Sequence, residues 1–452
     1  MAGGLWTSQN KVLPGVYINV KSQPSVNVSI GTRGVVAICE PLSWGETGKV
    51  MTITPGEDLR PYIGYDITAS QALFLREMFK GSDSTSAPIK VLLYRPAGSS
   101  GAAATATIGN LVATAQYVGV RGNDITVALI ADPDNVGYYN VQTVIDGSVV
   151  DDQYVNAIAS LIDNAWVEWS GSGSLAADSG TALTGGVDPT VSASDYADFL
   201  TAIEPYTFDI ITYDGSTATV ISAIAAFVAR MNESAGRKCQ AVMAGSDALV
   251  NSKYVIAVAN GVKLSDGTSL TAGQATYWVA GVEAGALYYE SLTYAQYPGA
   301  IEANPKMSDA ALETAIAGGS LCFTDTFDRV KICTDINTKT SVSVDEGAEF
   351  KKNRVMRVVN QLCNDVYEYF SEAFIGKVDN NASGRALLRA WLIGYLNEMQ
   401  ANNGIQNFVA EDVSVEAGTA IDAVVINVAI QPVDAIEKIY MTVTVNANGV
   451  TA

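Results

Sequence analysis

The sequence predicts an α/β core that is interrupted by a small β-sandwich and followed by an α+β region, with extended strand arms at both ends. Apolar runs of strand length alternate with amphipathic helical segments, a Thr-, Val- and Gly-rich block interrupts them, and period-two patterns lie near both termini. These changes of pattern divide the chain into six parts. They are an N-terminal arm (1–21), a first core segment (22–98), the sandwich (99–187), a second core segment (188–345), a helical domain (346–420) and a C-terminal arm (421–452).

The N-terminal arm is predicted to be a strand because the residues after Pro14 have high strand propensity. Its apolar positions are Val16, Tyr17, Ile18 and Val20. Buried strands are then expected at 34–39 and 89–94, with a helix at 68–79 between them. Strand, helix and strand in this order indicate an α/β layer.

The inserted block consists of short alternating segments between frequent turns. Strands are expected at 117–120, 125–130 and 139–145. The turn signals that separate them are Arg121-Gly122-Asn123-Asp124, Asp132-Pro133-Asp134-Asn135 and Asp146-Gly147. This pattern is typical of a small sandwich or barrel.

The second core segment returns to alternating strands and helices. Strands are predicted at 208–212, 240–243 and 254–258, and helices at 196–204, 220–232 and 273–289. This alternation indicates a mixed sheet with helices on both faces. Gly281 and Gly285 are expected to let their helix pack closely against neighbouring backbone in the core.

Two amphipathic helices are predicted in the last third, at 351–374 and 386–401. The first opens with the cations Lys351, Lys352, Arg354 and Arg357, although the helix dipole favours acidic residues there. Two interpretations stay open: a solvated surface patch, or an interface with an acidic partner.

The C-terminal arm contains two segments with period-two alternation, 423–431 and 438–446. Their apolar positions include Val424, Ile426 and Val428 in the first and Ile439, Met441 and Val443 in the second. Strands at the two ends of a chain must pair, either within the chain or with the sheet of a neighbouring copy, which would produce a polymer.

Composition excludes several classes of function. The 452 residues contain no histidine, which excludes Ser-His-Asp and Cys-His catalysis and His-ligated zinc. The net charge of −20 argues against direct nucleic-acid binding and against attraction to anionic membranes. The five cysteines include no CxxC pair, so reduced structural thiols are expected, with no metal or other cofactor. No apolar run approaches the ~18 residues of a membrane span, and no secretory signal is predicted, so synthesis in the cytoplasm is expected.

Two other functions stay open from the residues alone. Asp209, Asp214 and Ser246-Asp247 follow or flank predicted strands, where α/β enzymes hold functional groups. A hydrolase without histidine would use Lys253 as its base. A self-assembling surface-layer or array protein would also polymerise, but it would need an export signal.

Several segments follow the order of one known family: Pro14-Gly15-Val16-Tyr17, 115–125, Leu183-Thr184-Gly185-Gly186, Arg329-Val330-Lys331-Ile332 through Asp335-Ile336-Asn337-Thr338, Asn353-Arg354-Val355 through Ile375-Gly376-Lys377-Val378-Asp379-Asn380-Asn381, and Gly384-Arg385. They resemble contractile tail sheath proteins of phages, tailocins and prophages of Gram-positive bacteria. Together they cover nearly the whole chain, although each motif alone is weak.

The resemblance implies a structural subunit that forms stacked rings around a tail tube, with arms that pair with strands of adjacent subunits. Contraction would then drive the tube through a target envelope. It also implies a core that is subtilisin-like in fold but not catalytic, consistent with the absence of histidine.

The resemblance further implies a set of partners: other copies of the chain, the tube protein, and baseplate and tail terminator proteins, without direct nucleic-acid contact or membrane insertion. The particle would be assembled in the host cytoplasm. The residues expected to contact the tube are Lys351, Lys352, Arg354, Arg385 and Arg389.

Overall fold

The computed structural model describes residues 2–4, 15–17, 30–245 and 251–445, and these form two compact units. One unit comprises the described residues up to Ile30 together with Ser371–Gln431. The other comprises Gly31–Phe370 together with the described residues from Pro432 onward.

The first described segments are two short strands, β1 (Ala2–Gly4) and β2 (Gly15–Tyr17), which pair in parallel. Val16 and Tyr17 of the predicted arm therefore lie in a strand. Ile18 and Val20 lie outside the described residues.

The α/β layer begins with β3 (Val35–Cys39), β4 (Val50–Ile53), α1 (Arg60–Ile63), α2 (Leu73–Met78) and β5 (Lys90–Tyr94). The helix predicted at 68–79 is shorter than expected: a 3₁₀ turn at Ser70–Ala72 precedes α2. Its start is delayed because the Asp66 carboxylate accepts the backbone N–H and the hydroxyl of Thr68, which fixes a turn there.

The inserted block is a sandwich of two antiparallel sheets, as predicted. Its strands are β6 (Thr105–Ile108), β7 (Leu111–Ala115), β8 (Thr126–Ala131), β9 (Tyr139–Ile145), β10 (Ser148–Val155), β11 (Val167–Gly171) and β12 (Asp178–Ala182). They are ordered β10-β9-β8-β12 in one sheet and β11-β7-β6 in the other. The strand predicted at 117–120 is wrong: Val120–Asp124 is a 3₁₀ helix, because the buried Arg121 guanidinium donates to the Gly64 carbonyl and to the Asp146 carboxylate.

The second core segment contributes the remaining strands and helices of the layer. They are α3 (Ala193–Ile203), β13 (Ile210–Tyr213), α4 (Ala218–Glu233), β14 (Gln240–Ala244), β15 (Val255–Val258), β16 (Gly261–Leu264), β17 (Ser269–Leu270), α5 (Ala272–Gly285), β18 (Ala300–Asn304), α6 (Asp309–Ala317), β19 (Ser320–Leu321), β20 (Phe323–Thr326) and β21 (Arg329–Ile332). The main sheet has the order β19-β15-β14-β13-β3-β5-β4, parallel except for β4.

Helices cover both faces of this sheet, as predicted. In β3, Val36 and Ile38 pack into the cluster that contains α2 and α5. Val35 and Ala37 pack into the cluster that contains α3 and α4. The close packing predicted at Gly281 is present: a Cβ there would lie 2.2 Å from the Met78 carbonyl oxygen of α2.

The C-terminal part contains α7 (Asn353–Ala373), α8 (Ala382–Ala401), β22 (Ile405–Gln406), β23 (Val413–Ala417), β24 (Val424–Val428) and β25 (Gln431–Pro432). The strand predicted at 423–431 is β24 and pairs within the chain, with Ile426 opposite Val415 of β23. Residues 438–445, with Ile439, Met441 and Val443, form no strand in the single chain, and their pairing with a neighbouring copy stays a prediction. A strand requires a hydrogen-bonded neighbour, and none of the described strands lies beside them.

Candidate functional site

The C-terminal arm leaves apolar side chains in water. Ile436, Ile439, Tyr440 and Met441 are each 80–91% exposed, and Val443 is 71% exposed. Side chains of this kind are normally buried in a core or at an interface. The arm therefore contains an apolar segment that no surface covers within the described part of the chain.

The polar contacts of the arm hold it on the body of the same unit. The Glu437 carboxylate accepts hydrogen bonds from the hydroxyl of Thr293, at 2.7 Å, and from the ammonium of Lys352. The hydroxyl of Thr334 lies 3.4 Å from the same carboxylate, whose side chain is 16% exposed. We call Glu437 with Thr293, Thr334 and Lys352 the C-terminal clasp.

The first residues of the same unit in the sequence, 31–35, are held by side chains from α7 and from Asp209, the residue before β13. The Asp365 carboxylate accepts the backbone N–H of Gly31 at 3.0 Å, and the Gln361 amide donates to the Gly31 carbonyl at 3.1 Å. The Asp209 carboxylate accepts the backbone N–H groups of Gly34 and Val35 at 2.9 and 3.0 Å. We call residues 31–35 with these partners the N-terminal root.

Between the two lies a buried ion cluster. Arg357 of α7, fully buried, donates to the carboxylates of Glu283 and Asp335. The Asn353 amide bridges the same two carboxylates, at 3.1 Å from Glu283 and 2.8 Å from Asp335. We call these four residues the Arg357 cluster. Arg357 is therefore part of the core, not of a solvated patch.

The charges of the cluster are mutually adjusted. Burial and the adjacent Asp335 carboxylate raise the pKa of Glu283 well above its ordinary value. Burial acts in the same direction on Asp335, but Arg357 and the backbone N–H of Leu292 hold the pKa of Asp335 below its ordinary value. Burial lowers the pKa of Arg357, but the two carboxylates raise it by more, so its pKa lies above the ordinary value and the guanidinium stays charged.

The five cations expected to contact a tube all have contacts within the chain. Lys352 belongs to the C-terminal clasp, and the Lys351 ammonium donates to the Ile316 carbonyl at 2.7 Å. Arg354 is half-buried, and burial lowers its pKa. These three lie in one compact unit.

The other two cations, Arg385 and Arg389 of α8, lie in the second compact unit. Arg385 donates to the side-chain carbonyl of Asn380 at 2.9 Å. Arg389 donates to the Val413 carbonyl at 2.8 Å, at the start of β23. Sequence reasoning had no means to find the partner of Arg389, because it is a backbone carbonyl 24 residues away in the chain.

Among the residues that the structure describes, the candidate catalytic groups do not form an active site. Lys253 pairs with Glu346, at 2.7 Å, instead of activating a hydroxyl. Ser246 and Asp247 lie outside the described residues. Asp209 holds the N-terminal root.

Asp214, the remaining candidate, lines a pocket of about 250 Å³ beside the ends of β3 and β13. There its carboxylate accepts the Tyr277 hydroxyl at 2.7 Å. Burial raises the pKa of the neighbouring Glu40 well above its ordinary value. Two carboxyl groups and a phenol, without a nucleophile and its base, provide no catalytic constellation.

Within the described ranges, none of the helices is both long and apolar enough to cross a membrane.

Protein-family profiles match four successive parts of the chain. Residues 33–95 match the "Tail sheath protein Gp18 domain III N-terminal region", and 99–188 match the "Phage tail sheath protein beta-sandwich domain". Residues 190–338 match the "Phage tail sheath protein central domain", and 345–446 the "Phage tail sheath C-terminal domain".

Individual relatives agree with the profiles. The sheath tail protein of Desulfitobacterium hafniense is 40% identical with a TM-score of 0.85, over 94% of this chain and 99% of that protein. The phage-like element PBSX protein XkdK of Bacillus subtilis is 32% identical over 99% of this chain and all of XkdK. The anti-feeding prophage helical sheath in its contracted state shares the fold, with a TM-score of 0.58 at 12% identity over 96% of this chain and all of that chain.

The chain belongs to the phage tail sheath family, which confirms the resemblance found in the sequence. Proteins of this family are structural, so the chain is not an enzyme. It is a component of a phage tail or of a phage-tail-like particle. The hydrolase and surface-layer alternatives are not favoured.

Proposed function

We propose that the chain polymerises as stacked rings around a tail tube, exchanges arm strands between subunits, and contracts to drive the tube through a target envelope. The observation that carries the proposal is the C-terminal arm, in which apolar side chains at alternate positions lie in water and none of the described strands lies beside the backbone. A second copy of the chain provides a partner for such a strand without any change of fold.

Edge strands supply the complementary surface. Among the described strands, β24 pairs only with β23, so one of its edges is open to a further strand. Val424, Ile426 and Val428 of β24 are half-buried and alternate with exposed residues, as in a strand that has one covered face. An added strand contributes roughly 0.5–1.5 kcal/mol for each backbone hydrogen bond.

The N-terminal arm is assigned the same role. We propose that Val16, Tyr17, Ile18 and Val20 join the sheet of an adjacent subunit in the assembled sheath. The same proposal includes a subtilisin-like arrangement of the core and synthesis of the chain in the host cytoplasm. It also includes contacts of the assembled sheath with baseplate and tail terminator proteins.

Assembly can be tested by negative-stain electron microscopy of the full chain and of a form that lacks residues 1–21. Striated hollow tubes that disappear in the truncated form support both the sheath role and the arm exchange. Tubes of equal length and number in both samples contradict an essential N-terminal arm. Monodisperse particles in both samples, with the tube protein and baseplate added as nucleators, contradict self-assembly into a sheath.

The C-terminal arm allows a test that depends on strand alternation. In an added strand, Met441 and Val443 share one face, and Thr442 and Thr444 share the other. We expect the pair Met441→Asp and Val443→Asp to abolish tubes, because it places two carboxylates in an apolar interface. The matched pair Thr442→Asp and Thr444→Asp keeps the charge and position and is expected to assemble. Equal loss in both pairs contradicts a one-faced strand.

We further propose that Lys351, Lys352, Arg354, Arg385 and Arg389 contribute positive charge to the contact with the tube. They stand out in a chain of net charge −20, and contacts between partly exposed charges are weak enough to break during contraction. Reversal of charge at Lys351 and Lys352 is expected to prevent co-assembly with the tube. Lys306→Glu, at an exposed lysine, is the control. Intact co-assembly of the doubly reversed variant contradicts the proposal.

A further inference from the structure

The C-terminal clasp and the N-terminal root are connected by an unbroken series of polar contacts inside one compact unit. The series begins at Glu437, whose carboxylate accepts the Thr293 hydroxyl at 2.7 Å. The same hydroxyl oxygen accepts the backbone N–H of Asp335 at 3.0 Å. Asp335 is part of the Arg357 cluster, so the arm is two hydrogen bonds away from the buried ions.

The series continues from the Arg357 cluster to the N-terminal root. Arg357 donates to Asp335 at 2.6 Å and to the Glu283 carboxylate. Arg33 donates to the Glu283 backbone carbonyl at 3.3 Å and forms an ion pair with Asp209 at 3.4 Å. Asp209 holds the root through two backbone N–H groups.

Most members of this series are buried, which makes the series sensitive to the loss of one contact. Arg357 and Glu283 are 0% exposed, Asp335 is 2% exposed and Arg33 is 9% exposed. In surroundings of low dielectric, each charge depends on its neighbours, and a displaced partner leaves a costly unpaired group. The Gly31 backbone is held on both sides, since the Asp365 carboxylate accepts its N–H and the Gln361 amide donates to its carbonyl.

We propose that the Arg357 cluster couples the two arms, so that release of the C-terminal clasp loosens the N-terminal root, and release of the root loosens the clasp. The biological role of this coupling rests on the proposed function, because coupled arms would be released together when subunits exchange strands. The coupling itself is a property of the single chain and is measured without assembly.

The first measurement follows the N-terminal root when the clasp is released. Glu437→Gln removes the negative charge that the Lys352 ammonium contacts in the clasp, and hydrogen–deuterium exchange is read at the backbone N–H groups of Gly34 and Val35 in the unassembled full chain. We expect exchange about tenfold faster, since loss of a charge-assisted hydrogen bond changes a local opening equilibrium by about this factor. Glu313→Gln, at an exposed carboxylate of α6, is the matched control and is expected to leave exchange unchanged.

The second measurement runs in the opposite direction. Asp209→Asn weakens the root, and limited trypsin digestion follows cleavage after Lys438, whose neighbouring residues are unaltered. Coupling between two sites is reciprocal, so cleavage is expected to accelerate by a factor similar to that of the exchange. Asp198→Asn, an exposed position on α3, is the control. Protection of β14 against exchange in every variant verifies that the core is folded.

The outcomes separate the inference from the proposed function. If exchange at Gly34 and Val35 is no faster in Glu437→Gln than in the unaltered chain, the coupling is overturned, even where tubes assemble normally. Unchanged cleavage after Lys438 in Asp209→Asn overturns it equally. Coupling in both directions in a chain that never forms tubes supports the inference and contradicts the proposed function instead.

Discussion

Replacement of Arg357 by leucine is expected to lower the free energy of unfolding by about 3 kcal/mol, because it leaves two buried carboxylates without their cation. Breaking a buried pair costs about 3–5 kcal/mol. The lower end applies because both carboxylates keep donors: Asp335 keeps Asn353 at 2.8 Å and the Leu292 N–H at 3.0 Å. Glu283 keeps the Asn353 amide at 3.1 Å.

The assay is urea unfolding of the unassembled chain. With a slope of about 3 kcal/mol per molar urea, a loss of about 3 kcal/mol lowers the midpoint by about 1 M. Arg230→Leu is the matched control, because Arg230 also donates to a carboxylate, Glu204, at 2.9 and 2.6 Å. That pair is 47% and 37% exposed, so its removal is expected to cost at most about 1 kcal/mol. Equal shifts for the two variants would refute the argument from burial.

The pH dependence of this loss has a definite sign. In the native chain, the lowered pKa of Asp335 contributes stability above the ordinary carboxyl pKa, and this contribution is lost as the pH falls. The raised pKa of Glu283 acts in the opposite sense, so its contribution falls as the pH rises. Without Arg357, protonation of either carboxyl group relieves the unpaired charge. The deficit of Arg357→Leu is therefore expected to be smaller at pH 5 than at pH 8, and a larger deficit at pH 5 would contradict this assignment.

Two further predictions concern packing and thiol chemistry. Gly281→Ala is expected to lower stability by about 1–3 kcal/mol, because its Cβ would lie 2.2 Å from the Met78 carbonyl. Gly318→Ala is the control, because its φ of −71° suits alanine and its Cβ would lie 3.4 Å from the nearest atoms. A similar thermal shift in both variants would contradict the close packing. Burial raises the pKa of the Cys239 thiol to about 12, so iodoacetamide at pH 8 is expected to label Cys239 only after unfolding, as judged by peptide mass spectrometry. Labelling of the native chain at Cys239 would contradict its burial.

The fold could largely be predicted because the core strands are continuous apolar runs between clear helical patterns. β3, for example, is buried at all five positions, as a central parallel strand requires. The prediction failed at 117–120 because a period-two pattern does not detect a buried charged side chain. The hydrogen bond from Arg121 to the Gly64 carbonyl favours a 3₁₀ helix at Val120–Asp124 instead of a strand. At 438–445 alternation identifies a strand face but provides no partner for the backbone, so the pairing of this segment with a neighbouring copy stays a prediction.

The candidate site could be predicted only in its apolar part. Period-two alternation indicated the arm strands, whereas the clasp depends on Glu437 meeting Thr293 and Lys352, which are 144 and 85 residues away in the chain. The cations at the start of α7 are evident in the sequence, but their role depends on burial. Arg357 is 0% exposed and Lys352 is paired, and neither fact follows from the local sequence.

The burial pattern of the C-terminal arm is the reverse of that in an ordinary surface strand, since its carboxylate is held against the body while its apolar side chains lie in water. Full burial of one large apolar side chain contributes about 1.5–3 kcal/mol, so even three such positions outweigh the net contribution of one partly exposed ion pair. In the proposed arm exchange, the clasp would therefore contribute less to affinity than to geometry: it would fix where the arm begins, and the apolar positions beyond it would supply the free energy of association. An arm with the opposite pattern would bury its apolar side chains on its own body and would have little to gain from a second copy of the chain.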